Sequence, residues 1–62
     1  MNIALVVPAV VGVPYRGAWA EGVLYYINDV VEHLGKAYAS LQEHVSSKRH
    51  TPGAAPFFWR EV

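Results

Sequence analysis

No cysteine occurs among the 62 residues, which rules out a disulfide framework and a thiolate zinc site alike. An excess of one charge is also missing. Five Lys and Arg balance five Asp and Glu, so the chain lacks the electrostatic footprint of a nucleic-acid binder. Its single basic run, Lys48-Arg49-His50, is short and reads as a solvated loop. Long apolar runs are absent too. The stretch from Ile3 to Val13 is interrupted by Pro8 and Gly12 and falls well short of the roughly 20 residues of a membrane helix. No positive charge precedes it and no small-x-small site clearly follows it, so a signal peptide is a poor fit.

Aromatic residues are what the chain does have. A domain this small buries only about 60% of its unfolded surface, and without disulfides or metal it needs dense packing or a partner. The eight aromatics Tyr15, Trp19, Tyr25, Tyr26, Tyr38, Phe57, Phe58 and Trp59 supply large burial areas for one core.

Three zones follow along the chain. Residues 1–14 form an apolar arm rich in Val and Ile, an extended segment that Pro8 confines to an edge or a break. Within it Ile3, Leu5, Val7 and Val10 are candidates for docking on a neighbouring subunit or for pairing as an edge strand of the same domain. Residues 15–62 form the module proper. Tyr15 to Ser40 is patterned, Val45 to Pro56 is loop-like, and Phe57 to Val62 reads as a closing aromatic strand.

The middle zone admits two readings. Leu24, Ile27, Val31, Leu34, Tyr38, Leu41 and Val45 alternate three and four apart, the seam of an amphipathic or coiled-coil helix. Against this, Asn28-Asp29 signals a turn, Val30 to His33 is a strand-forming run, and Leu34-Gly35 suits a tight reversal before Lys36.

The order of specific residues favours strands. From Trp19 the chain reads Tyr25-Tyr26-Ile27-Asn28-Asp29-Val30-Val31, then Gly35-Lys36-Ala37-Tyr38-Ala39, then Pro52-Gly53 and Trp59. This resembles the chitin-binding modules of carbohydrate-binding families five and twelve, whose core runs Tyr-x-x-Gly-Asp-x-Val-x-x-x-Gly-Lys-x-Tyr and ends on a Trp after a Pro-Gly loop. The resemblance implies a small all-β module: a three-stranded antiparallel sheet with an aromatic core, preceded by the extended amino-terminal arm. It assigns Trp19, Tyr25, Val31, Tyr38 and Trp59 to the core, and Asn28, Asp29, Gly35, Pro52 and Gly53 to turns. Asn28 stands where the family has Gly, and it is among the residues most tolerant of positive φ. Asp29 can accept hydrogen bonds from nearby backbone N–H groups.

One departure concerns ligand binding. The family carries two adjacent exposed tryptophans shortly after the Tyr-x-Ala segment, where sugar rings stack. Leu41-Gln42-Glu43-His44 occupies that stretch here, so the resemblance implies the scaffold without its sugar platform. Modules of this pattern are also similar to segments of bacteriophage tail and virion proteins. The leading expectation is therefore a structural or adhesive module of a larger assembly, a phage tail or virion, docked through its arm. The alternatives are a true glycan-binding module for chitin or a cell-surface polysaccharide, extracellular in that case, and a helical oligomerisation peptide.

Tyr15, Tyr26, His33, Phe57 and Phe58 are the candidates for partner or glycan contact, with packing against the arm as the competing role. His33, His44 and His50 have no ligand spacing and read as surface or loop residues. Ser40, Ser46 and Ser47 lack a nucleophile-elbow context, so neither catalysis nor a cofactor is expected.

Overall fold

The computed structural model describes residues 14–62. The proposed docking residues Ile3, Leu5, Val7 and Val10 lie outside that range. Within it the chain forms six strands: β1 (Tyr15–Ala18), β2 (Leu24–Tyr25), β3 (Val30–His33), β4 (Lys36–Ser40), β5 (His44–Val45) and β6 (Trp59–Glu61), with a 3-10 turn at Lys48–His50. Four strands make one sheet in the order β1-β3-β4-β6, and β2 pairs with β5 in a separate two-stranded ribbon.

The expected antiparallel trio is β3, β4 and β6, with Val31 opposite Tyr38 and Ser40 opposite Trp59. β1 adds a fourth strand, parallel to β3. Its register slips between Tyr15 and Ala18, where Gly17 sits at φ 84°. A positive φ at a bulge is available to glycine without steric cost.

The heptad seam is not a core. Of its seven residues, Leu24, Ile27, Leu34, Leu41 and Val45 are exposed, and only Val31 and Tyr38 are buried. Strand alternation places Val31 and Tyr38 on one face of paired strands, whereas the others fall in turns or on the ribbon. The core consists of Tyr25, Val31, Tyr38, Ala55 and Trp59, with Trp19, Val23 and Phe58 packed against it. Tyr25 meets Trp59 edge to face at 5.2 Å, a preferred aromatic geometry.

Turns fix this arrangement. Leu34 (φ 53°) and Gly35 (φ 80°) form the two-residue reversal between paired His33 and Lys36. Both residues have the left-handed backbone that such hairpins demand, which is costly for Leu. Asn28 stands at φ 74°. Asp29 is buried, and its Oδ2 accepts the Tyr26 N–H at 2.8 Å and the Arg16 guanidinium at 2.6 Å. Buried Ser46 ties the ribbon to the preceding loop, accepting the Val23 N–H and donating to the Ala20 carbonyl.

Two boundaries differ from the sequence reading. The closing strand starts at Trp59, because Phe58 and Trp59 both donate their N–H to the Ala55 carbonyl in a turn. Val45 belongs to β5 instead of the following loop.

Candidate functional site

The sheet register sorts the exposed apolar residues to one end. Tyr15 pairs with Val30 at the start of β3. Tyr26 and Ile27 precede that strand, and the Asn28 N–H donates to the Ser40 carbonyl at the end of β4. Leu41 follows, with its N–H donating to the Phe58 carbonyl just before β6. Tyr15 of β1 and the loops carrying Tyr26, Ile27, Leu41 and Phe57 therefore lie at the same end of the sheet.

Three aromatics stand out from that end. Tyr15 is 56% exposed, Tyr26 51% and Phe57 81%. The Tyr26 backbone is held at both polar groups: its N–H donates to Asp29 Oδ2, and its carbonyl accepts the Asp29 N–H at 3.0 Å. Arg16 supports this loop from below, bridging Asp29 while its guanidinium lies 5.1 Å from the Tyr25 ring centroid. Phe57 is carried by the Ala55 turn, and its carbonyl accepts the Gln42 side-chain amide at 3.1 Å. Fixed backbones beneath exposed rings lower the ordering cost of binding.

The other contact candidates are placed differently. His33 is half-buried and meets Trp19 edge to face at 5.3 Å, away from the aromatic end. Phe58 is half-buried, packed on the core between His44 (4.5 Å) and His50 (5.0 Å). Because Phe57 and Phe58 occupy a turn, their opposite exposures come from that turn and not from strand alternation. Trp19, Tyr25, Val31, Tyr38 and Trp59 lie in or against the core, and Gly53 packs near Tyr38. Pro52 is buried beside Gly53 (φ 92°) in the loop that covers the core.

At the stretch where the family has its paired tryptophans, Leu41 is 39% exposed and Gln42 and Glu43 face solvent. His44 turns inward. It lies in β5, within 6.3 Å of Tyr25 and 5.2 Å of Trp59, which corrects its reading as a surface or loop histidine. Its Nδ1 contacts the Gln42 carbonyl at 2.8 Å, so Nδ1 carries the proton of that bond. Nε2 is buried without a partner among the described residues. No spacing signal could have revealed this, because the burial of His44 is created by a strand 15 residues away.

The exposed end can offer flat apolar faces with polar groups beside them, namely the two tyrosine hydroxyls, Asn28 and Gln42. Such a mixture fits a saccharide, whose ring has an apolar C–H face and a hydroxyl rim. Among the described residues no group of three or more His, Cys, Asp or Glu is arranged to hold a metal.

Comparison with known proteins gives one result of weight. The sequence model of carbohydrate-binding module family 5/12 matches residues 18–60, more than two thirds of the chain. No curated protein and no solved structure matches it. The matched segment runs from the last residue of β1 into β6, spanning the whole core and all of the aromatic end except Tyr15. The chain belongs to carbohydrate-binding module family 5/12.

Proposed function

We propose that the chain is a non-catalytic glycan-binding module that engages a polysaccharide through its aromatic end. One observation carries this reading. Tyr15, Tyr26 and Phe57 are exposed together at one end of the sheet, while every other aromatic is buried or half-buried. The Gln42 and Leu41 hydrogen bonds to the Phe57 and Phe58 carbonyls tie the stretch that lacks the family's tryptophan pair to the turn carrying Phe57, and Phe57 would take that pair's stacking role. The balanced charge of the chain favours a neutral polysaccharide such as chitin.

The order of the two sequence readings is thereby reversed. The family match supports glycan binding, and it says nothing of a phage tail. Docking in a virion through residues 1–14 would be an added property of the arm, compatible with glycan binding on a host surface. The helical oligomerisation reading falls because Leu24 to Val45 forms strands and turns instead of a helix.

The test is sedimentation of the protein with insoluble chitin and with bacterial cell-wall polysaccharide. Binding that is lost in Phe57→Ala and weakened in Tyr26→Ala is the expected result. Binding unaffected by both substitutions, or none to any polysaccharide, would refute it.

A further inference from the structure

Along the sheet the module holds a groove of about 330 Å³ lined by Lys36, Tyr38, Gly53, Pro56, Trp59 and Glu61, reaching the hairpin end at Lys36. Tyr38 and Glu61 are directly opposed across β4 and β6, and Lys36 lies two residues before Tyr38 on the same face. Lys36 and Glu61 are therefore diagonal neighbours, a relationship that spans about 7–8 Å. Among the described residues the only ion pair is Arg16–Asp29. The Lys36 ammonium and the Glu61 carboxylate thus flank the groove without neutralising each other.

From these features we infer that the groove is a second saccharide subsite, sized for a single neutral sugar residue and reading two neighbouring hydroxyls. The inference rests on the glycan-binding reading and adds a site distinct from the aromatic end. An ammonium only donates hydrogen bonds and a carboxylate only accepts them. A sugar hydroxyl does both, so a pair of adjacent hydroxyls can accept from Lys36 and donate to Glu61. The Tyr38 hydroxyl, which makes no hydrogen bond to the described residues, supplies a third polar contact. The Pro56 ring and the Trp59 indole give the apolar wall that a sugar's C–H face requires. One positive and one negative group leave the lining without net charge, which disfavours strongly acidic or basic ligands. The volume sits at the small end of the about 300–1,000 Å³ typical of ligand pockets, matching one residue and not a chain.

Gly53 keeps the groove open. A Cβ at that position would come within 2.9 Å of the Tyr38 hydroxyl, closer than side chains approach each other.

The experiment is nitrogen-15 NMR titration of the whole chain with methyl glucoside and methyl mannoside, with glycine as a zwitterionic competitor. The inference predicts saturable shifts at the Lys36, Gly53 and Glu61 amides. It further predicts weakening of about tenfold or more in Lys36→Met and in Glu61→Gln, the loss of one charge-assisted hydrogen bond, with the shifts intact in Phe57→Ala. Both substituted residues are exposed, so the variants keep the folded spectrum. Absent shifts at those amides, shifts confined to Tyr26, Leu41 and Phe57, wild-type affinity in both variants, or tighter binding of glycine than of either sugar would each overturn it. If polysaccharide sedimentation still depends on Phe57 while the groove stays silent, the subsite fails and the aromatic end stands. If both are silent, the two readings fail together.

Discussion

The Gln42 side-chain amide donates to the Phe57 backbone carbonyl at 3.1 Å, joining the loop after β4 to the turn before β6. Together with the Leu41 N–H to Phe58 carbonyl bond of 2.8 Å, it sets the most exposed aromatic of the chain beside the stretch that has lost the family's tryptophans. The stacking surface proposed for the module would thus draw on two distant segments instead of two adjacent residues.

Replacing Gln42 with Ala removes the clamp and leaves the ring in place. The Phe57 turn should loosen, weakening polysaccharide binding by a few-fold, since one neutral hydrogen bond contributes about 1 kcal/mol. Unfolding midpoints should change little, because Gln42 is exposed. Binding isotherms and urea denaturation of the same variant separate the two effects.

Asp29 fixes the other aromatic loop. Asp29→Ala leaves the Tyr26 N–H and the Arg16 guanidinium without their acceptor, and a loss of about 3 kcal/mol is expected from breaking so buried an arrangement. Arg16→Ala should cost less, since its side chain is about one-third exposed (34%) and water can screen the loss. Chemical denaturation of the two variants should rank them in that order.

The hairpin turn carries a residue poorly matched to its backbone. Leu34 holds a left-handed conformation (φ 53°) and is 88% exposed, so its side chain gains little from burial. Leu34→Asn should stabilise the module by about 0.5–1 kcal/mol, because Asn tolerates that backbone and Asn-Gly is the favoured pair for this turn. A higher thermal midpoint would report it.

Gly53 combines positive φ (92°) with close approach to Tyr38. Gly53→Ala should cost about 1–2 kcal/mol from the backbone alone, and more from the 2.9 Å contact with the phenol oxygen. In a Tyr38→Phe background that second part should vanish. A double-mutant cycle measures the coupling directly.

Much of the scaffold was legible because its determinants are local. Asn28, Asp29 and Gly35 advertise turns through backbone chemistry that needs no distant partner. The same locality misled where periodicity was the only guide. Leu24 to Val45 spaces apolar residues as a helix would, yet five of the seven face solvent, because the glycine and turn residues between them break the helix into strands. The parallel pairing of β1 with β3 was not legible, since no short-range signal encodes which edge a strand joins. His44 was missed for a related reason: its burial depends on Tyr25 and Trp59, 19 residues before and 15 after it. The aromatic candidates were read as single residues. Their convergence at one end of the sheet comes only from the register.

The most direct test of the central claim is the affinity of the whole chain for insoluble chitin and cell-wall polysaccharide, compared between wild type and a Tyr26→Ala, Phe57→Ala double variant. Both side chains are more than half exposed, so the variant should keep its fold, as circular dichroism can verify. Truncating two aromatic anchors should remove about 2–4 kcal/mol of binding, a loss of roughly 30-fold to 1,000-fold. A folded double variant that binds polysaccharide as tightly as wild type would contradict the assignment of the aromatic end as the ligand surface.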